Sequence, residues 1–106
     1  MGRVVHPDQE RLLPAKSYAL EFTPAALRQL ERLDPFIRPI VFADIEKLGD
    51  NPRPRGVEKL AAKEKLYRWQ VGPGKNYRVI YQIRDKDLLV LVVSVGHRKE
   101  VYRGLR

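Results

Sequence analysis

The spacing of hydrophobic residues changes along the chain, and each spacing predicts a different element. In residues 17–22 the side chains of Tyr18, Leu20 and Phe22 alternate with smaller or polar ones. Alternation with a period of two is typical of a strand that has one face in solvent. We therefore expect a strand over residues 17–22, preceded by a flexible N-terminal tail over residues 1–16.

Helical spacing follows the first strand. Thr23 is a preferred N-cap residue, and Pro24 fits the first helical position, where no backbone donor is needed. Proline disrupts a helix interior, so Pro39 places the start of a second helix near Arg38, and Gly49 is expected to end it. The apolar positions are Ala26, Leu27, Leu30 and Leu33 in the first helix and Ile40, Val41, Ile45 and Leu48 in the second.

Three further strands are predicted over residues 65–71, 77–83 and 88–95. The connections between them are short and polar, which favours an antiparallel meander. The predicted order is β-α-α-β-β-β. This is an α+β domain over residues 17–106, with a small antiparallel sheet and an α-helical hairpin on one of its faces.

Composition narrows the class of protein. The 106 residues suffice for one core, and none is cysteine, which excludes a disulfide scaffold and cysteine zinc sites and fits a reducing cytoplasm. The net charge is +8 and uneven: residues 1–62 carry 10 Lys and Arg against 9 Asp and Glu, whereas residues 63–106 carry 11 against 4. A one-sided basic surface indicates a polyanionic partner, either nucleic acid or an acidic protein segment.

The last predicted strand runs directly into a group of reactive and basic side chains. His97, Arg98 and Tyr102 follow the apolar run 88–95. None of them helps to build a core, and the end of a strand holds such groups rigidly. We therefore expect a surface site at this end of the sheet.

Three blocks of sequence resemble the RelE/ParE toxin superfamily, and the last one points to its RelE branch. The blocks are Leu66-Tyr67-Arg68-Trp69-Gln70-Val71, Tyr77-Arg78-Val79-Ile80-Tyr81 and Val95-Gly96-His97-Arg98-Lys99-Glu100-Val101-Tyr102. The resemblance covers residues 17–103. It implies the toxin of a toxin–antitoxin system: a ribosome-dependent endoribonuclease that cleaves mRNA without a metal or other cofactor. The implied reaction is attack of the ribose 2′-hydroxyl on the adjacent phosphate, which leaves a 2′,3′-cyclic phosphate and a 5′-hydroxyl end.

The resemblance also implies where the site lies. The basic strand positions of the family fall on Arg68 and Gln70, and its strand arginine falls on Arg78. Its C-terminal arginine and tyrosine fall on Arg98 and Tyr102. Gln70 departs from the family, because the well-known RelE type has a basic residue there. The other positions expected to bind RNA are Lys65, Lys75, Lys99 and Arg103.

Strand alternation predicts how these residues are arranged. Tyr67, Trp69 and Val71 are expected to face the helices, which turns Arg68 and Gln70 to the opposite face. Arg68, Arg78 and Arg98 are then expected to converge on one phosphate, because guanidinium groups bind phosphate oxygens through paired donors. The alternatives are that Arg78 forms a surface ion pair with Asp85, Asp87 or Glu46, and that Trp69 stacks on a base instead of lying in the core.

The sequence leaves two candidates for the general base of the implied reaction. Arginines stay protonated and are poor bases. Histidine is the side chain that titrates near neutrality, and neighbouring cations favour a phenolate, so either His97 or Tyr102 is a candidate to take the 2′-hydroxyl proton. Arg98 is then expected to assist the leaving group. In purely structural roles, His97 bonds a loop carbonyl and Tyr102 covers an edge of the sheet.

Two other functions stay open from the sequence. One is a ParE-like inhibitor that binds DNA gyrase without nuclease activity, and the other is a catalytically weakened module that binds an antitoxin. The expected partners are the ribosome, mRNA and a cognate antitoxin whose acidic, partly disordered segment covers Arg78 and Arg98. Operator DNA is expected only through the antitoxin, in a hetero-oligomer. No membrane partner is expected.

Overall fold

The computed structural model describes residues 17–61 and 65–100. The tail predicted over residues 1–16 lies outside them. The described elements are β1 (Ala19–Phe22), α1 (Pro24–Glu31), α2 (Arg38–Glu46), β2 (Glu58–Ala61), β3 (Leu66–Val71), β4 (Tyr77–Arg84) and β5 (Leu89–His97), with single 3₁₀ turns at Lys47–Gly49 and Pro73–Lys75.

The five described strands form one mixed sheet in the order β1-β5-β4-β3-β2. The meander from β3 to β5 is antiparallel as predicted. β1 instead runs parallel to β5, with Ala19 opposite Leu89 and Phe22 opposite Val92. The α+β class and the helical hairpin are confirmed, but the purely antiparallel sheet is wrong. A parallel neighbour requires a crossover connection, and here that connection contains both helices and the three antiparallel strands β2, β3 and β4.

The prediction also missed β2, the strand at the edge of the sheet. It is four residues long, and Glu58, Lys59 and Leu60 are all exposed. No alternation of apolar and polar residues marks it, because the strand is held by pairing with β3, Glu58 opposite Arg68 and Lys59 opposite Tyr67. A short, charged edge strand of this kind also discourages pairing with other chains.

The helix boundaries follow the predicted signals. Thr23 Oγ1 accepts a hydrogen bond from the Ala26 backbone N–H at 3.1 Å, so α1 begins at Pro24 with a side-chain cap. α2 begins at Arg38, whose Nη2 donates to the carbonyls of Glu31 (3.0 Å) and Leu33 (3.2 Å). Those bonds satisfy carbonyls that the end of α1 leaves unpaired.

The core lies between the helices and one face of the sheet, which we call the helix face. Its fully or nearly fully buried members are Ala26, Leu30, Val41, Ile45, Leu48, Val71, Val79, Tyr81, Ile83, Val90, Val92 and Val95. Tyr67 and Trp69 pack against it, as their alternation on β3 predicted. Leu27 and Ile40, expected on the apolar faces of the helices, are instead 45% and 46% exposed.

A β-bulge in β5 decides which of its later side chains reach the helix face. Tyr81 pairs with Val92, whereas the preceding residue of β4 pairs with Ser94, so Val93 is an extra residue. Simple alternation from Val92 would turn Ser94 toward the helices. The bulge reverses this, and Val95 joins the core.

Candidate active site

Polar and basic side chains occupy the outer face of the sheet, opposite the helix face, where β3, β4 and β5 lie side by side. Gln70 pairs with Arg78, and Arg78 pairs with Gly96, so these three positions form one row across the sheet. Gln70 is exposed, and Gly96 contributes no side chain beside Arg78. In the neighbouring row Ile80 and Ser94 are fully buried. The row of Arg78 is therefore an accessible polar part of this face, and Arg68 extends it from the neighbouring row.

Arg78 occupies the middle of that row and lies on a central strand. Its Nη1 donates to the carbonyls of Lys75 (2.8 Å) and Tyr77 (3.1 Å), which fixes the guanidinium at the end of the β3–β4 turn. It forms no ion pair with a carboxylate within residues 17–61 and 65–100. The surface ion pair considered for Arg78 is therefore not formed. Asp85 pairs with Arg53 instead.

The charges of two other arginines act on Arg78. Burial lowers the pKa of Arg78, and the positive charges of Arg68 and Arg98 lower it further, while Glu58 opposes the change. The convergence of Arg68, Arg78 and Arg98 on one phosphate stays a prediction, and the charges that Arg68 and Arg98 place on Arg78 are consistent with it. Arg98 is held by its backbone N–H, which donates to the Asn76 carbonyl at 2.9 Å. Guanidinium groups crowded in this way favour a bound anion that relieves their repulsion.

Glu58 is a member of this site that the sequence did not reveal. It lies on β2 directly opposite Arg68. Arg68 Nε donates to Glu58 Oε1 at 2.7 Å, and Arg68 Nη2 contacts the same oxygen. The side chains are 28% exposed for Arg68 and 55% exposed for Glu58, so the carboxylate stands at the solvent side of the pair. Its only sequence signal was an acidic residue in a stretch that carries no strand pattern.

His97 is placed apart from the arginines. It pairs with Tyr77, and the two rings meet edge to face at 5.6 Å between centroids. Its Nδ1 accepts a hydrogen bond from the Lys99 backbone N–H at 3.2 Å. The ring borders a cleft of about 420 Å³ on the helix face, together with Gln29 and Leu33 of the α1 region. The bulge in β5 causes this placement, because it exchanges the faces of the strand residues that follow it and turns His97 toward the helices.

Three of the lysines predicted to bind RNA lie within the described residues, and their side chains are in solvent. Lys65, Lys75 and Lys99 are all exposed. Lys75 also borders a cleft of about 310 Å³ beside the part of β3 that β2 leaves uncovered, with Trp69 and Arg55. Tyr102 and Arg103 lie outside the described residues.

Trp69 belongs to the core, as predicted. The half-buried ring packs against the buried cluster, and its Nε1 donates to the Arg55 carbonyl at 3.1 Å. That bond ties the loop before β2 to β3. Trp69 therefore fixes the position of the strand that carries Glu58.

The described residues contain neither a cluster of metal ligands nor a helix able to span a membrane. No three or more His, Cys, Asp or Glu side chains in residues 17–61 and 65–100 are grouped as metal ligands. Over the same ranges, neither helix combines the length and the apolar character that crossing a bilayer requires.

Comparisons with known proteins agree with the fold and with the sequence blocks. A family model described as the ParE toxin of type II toxin–antitoxin systems, parDE, matches residues 20–102. The chain is 30% identical over 88 residues to the mRNA interferase toxin RelE of Escherichia coli, covering 81% of this chain and 90% of that protein. It is 31% identical over 90 residues to Toxin RelG of Mycobacterium tuberculosis, covering 81% and 97%.

Solved structures give the same answer. A mutant of the E. coli toxin RelE in the free state has a TM-score of 0.65 and 28% identity, covering 83% of this chain and 93% of that one. The toxin in the intact E. coli RelBE toxin–antitoxin complex has a TM-score of 0.65 and 27% identity, covering 76% and 96%. The chain therefore belongs to the RelE/ParE toxin superfamily and is a RelE-like toxin of a toxin–antitoxin system.

Proposed function

We propose that this toxin is a ribosome-dependent endoribonuclease that cleaves mRNA by attack of a ribose 2′-hydroxyl on the adjacent phosphate. The observation that carries the proposal is the position of Arg78 on the outer face, influenced by the charges of Arg68 and Arg98 and without a carboxylate partner among the described residues. A relative named mRNA interferase toxin RelE supports the same activity.

The chemistry that these arginines supply is stabilisation of negative charge. As the 2′-oxygen attacks, the phosphate becomes a pentavalent phosphorane that carries additional charge. Guanidinium donors that are already in place stabilise that charge more than they stabilise the substrate. Arg78 is anchored by two backbone carbonyls, so its remaining donors are oriented before RNA arrives. Arg98 would assist the departing 5′-oxygen, and Tyr102 stays a candidate in the same reaction.

The direct test is cleavage of a short message in a programmed ribosome. We expect cuts in the A site that leave 5′-hydroxyl and 2′,3′-cyclic phosphate ends. A matched message with one 2′-deoxyribose at the cut position should stay intact there, because the nucleophile is missing. Cleavage of the deoxy message, or 5′-phosphate ends, would contradict 2′-hydroxyl attack.

The proposed inhibitor is a cognate antitoxin. A structural relative of this chain is the toxin in a RelBE toxin–antitoxin complex. An acidic segment would bind the outer face by pairing with Arg78 and Arg98, which lack such partners among the described residues. If so, the Arg78→Ala/Arg98→Ala variant should bind its antitoxin more weakly, and the difference should shrink as salt is raised. A salt-independent affinity equal to that of the parent would exclude occlusion of these arginines. Any contact with operator DNA is proposed to run through the antitoxin.

A second function is favoured by two observations. The matching family model carries the ParE name, and Gln70 replaces a basic residue beside Arg78. A ParE-like protein would inhibit supercoiling by DNA gyrase and leave ribosome-bound mRNA intact. Running both assays on the same folded preparation separates this function from the nuclease. Inactivity in both assays would leave an antitoxin-binding module.

A further inference from the structure

The proposed reaction needs a group that takes the proton of the 2′-hydroxyl, and within residues 17–61 and 65–100 the carboxylate that acts on these arginines is that of Glu58. Arginines do not serve, because they stay protonated. His97 borders the cleft on the helix face, beside Tyr77 and Gln29, and its Nδ1 already accepts a hydrogen bond. Glu58 is on the same face as Arg68, and its charge reaches Arg78. Geometry thus favours Glu58 over His97.

Arg68 orients the carboxylate of Glu58 by bonding to one of its two oxygens. Arg68 Nε and Nη2 both contact Oε1, and Oε2 has no hydrogen-bond partner in the described part of the chain. The side chain is 55% exposed, so RNA can reach this oxygen. A carboxylate that is held through one oxygen and open at the other is arranged to accept a proton.

The strand that carries Glu58 is itself held in place. The loop before β2 is bonded at three points: the Pro52 carbonyl accepts from Tyr81 Oη at 2.7 Å, Arg53 pairs with Asp85 at 2.9 Å, and the Arg55 carbonyl accepts from Trp69 Nε1 at 3.1 Å. Catalytic groups act best when their supports fix them before the substrate binds. These three bonds give the edge strand β2 that support.

We propose that Glu58 is the general base of the reaction, with Arg68 as the residue that positions it. The inference rests on the proposed nuclease activity. The 2′-hydroxyl proton passes to Glu58 Oε2, and the electron pair of the 2′-oxygen forms the new bond to phosphorus. The bond from phosphorus to the 5′-oxygen breaks, and that oxygen takes a proton from water to become a 5′-hydroxyl. Proton and electrons then balance without any oxidant or metal.

The test is single-turnover cleavage in the programmed ribosome by the parent and by Glu58→Gln. The amide keeps the size and a polar oxygen but is a far weaker base, so we expect the rate to fall by about 10²-fold or more. Glu21→Gln, an exposed glutamate on the opposite edge strand β1, is the matched control and should cleave like the parent.

A double variant tests whether Glu58 acts as the base or only holds Arg68 in place. In an Arg68→Ala background, Glu58→Gln should still slow cleavage if Glu58 is the base, but by less than in the parent, because Arg68 no longer positions the carboxylate. If Glu58 only supports Arg68, Glu58→Gln should have no further effect in that background. Glu58→Gln at the parent rate or faster, or no added effect in that background, would overturn the role while leaving the nuclease intact. A folded parent that cuts no message would remove both proposals.

Discussion

On the helix face of β4, Val79 and Tyr81 are fully buried, and Tyr81 Oη donates to the Pro52 carbonyl at 2.7 Å. On the outer face of the same strand, the positive charges of Arg68 and Arg98 act on Arg78, which has no carboxylate partner within the described ranges. The buried hydroxyl of Tyr81 on the helix face therefore has a hydrogen-bond partner. The half-buried Arg78 on the outer face instead experiences repulsion from other positive charges.

The difference separates the face that stabilises the fold from the face that we propose binds RNA. Packed apolar side chains and satisfied polar groups lower the free energy of the folded state. Repulsion between cations raises it, and a phosphate-bearing ligand removes that repulsion when it binds. Sites that depart from the local rules of stability are where function is expected. Changes to the two faces should therefore affect different measurements.

The largest effect on the helix face should come from opening the core. Ile45 is fully buried between α2 and the sheet. Ile45→Ala should lower the free energy of unfolding by about 3 kcal/mol, through lost transfer energy and a residual cavity. Urea denaturation measures this, and cleavage by the fraction that stays folded should be unchanged. A loss below about 1 kcal/mol would mean that the site collapses around the smaller side chain.

On the outer face, restoring a positive charge should have a smaller effect, which is an increase in the cleavage rate. Gln70 is exposed and pairs directly with Arg78. Gln70→Lys should speed cleavage about tenfold, equivalent to roughly 1.4 kcal/mol of transition-state stabilisation. Ser17→Lys adds the same charge before β1 and serves as the control. Equal effects of the two variants would assign the gain to net charge alone and not to this row.

The buried hydroxyl on the helix face predicts a loss of stability in alkali. Burial raises the pKa of Tyr81 well above the ordinary tyrosine value. Above about pH 10 the unfolded chain loses that proton while the folded chain retains it, so the free energy of unfolding falls as pH rises.

Tyr81→Phe isolates this contribution. At neutral pH the variant should be less stable by about 1 kcal/mol, because the Pro52 carbonyl loses its partner. At about pH 11 the gap to the parent should narrow or reverse, since only the parent still protects a phenol proton. Urea unfolding at both pH values measures the gap. A constant gap would mean that the Tyr81 hydroxyl titrates alike in the folded and unfolded chains.

The smallest effect is expected from His97, which faces the helices beside Tyr77. His97→Ala should leave the cleavage rate and its pH profile nearly unchanged. If the parent instead shows a bell-shaped profile that becomes flat across neutrality in the variant, histidine is the base after all. The comparison of the two faces would then not describe the active enzyme.

Local signals in the sequence predicted the helices and the meander, because caps, proline positions and alternation act over a few residues. Thr23 and Pro24 did begin α1, and Arg38 did begin α2. The parallel pairing of β1 and the existence of β2 depend on contacts between distant segments, which no local pattern encodes. The family resemblance supplied the toxin class.

The candidate site was also predictable only where a local pattern determines which face of the sheet a residue occupies. Alternation on β3 correctly placed Arg68 and Gln70 opposite the core. Alternation could not place His97, because one extra residue in β5 exchanges the faces of the side chains that follow it. Glu58 was missed because its relation to Arg68 exists only once β2 pairs with β3.

The central claim is that the arginines of the outer face act on the scissile phosphate. The most direct measurement is single-turnover cleavage of a programmed message by the parent, by Arg78→Ala/Arg98→Ala and by Arg28→Ala/Arg84→Ala. The control removes the same charge from α1 and from the far end of β4. All three proteins should unfold at similar urea concentrations. We predict a loss of about 10³-fold for the first variant and little change for the control. Equal rates for the two variants would contradict the account.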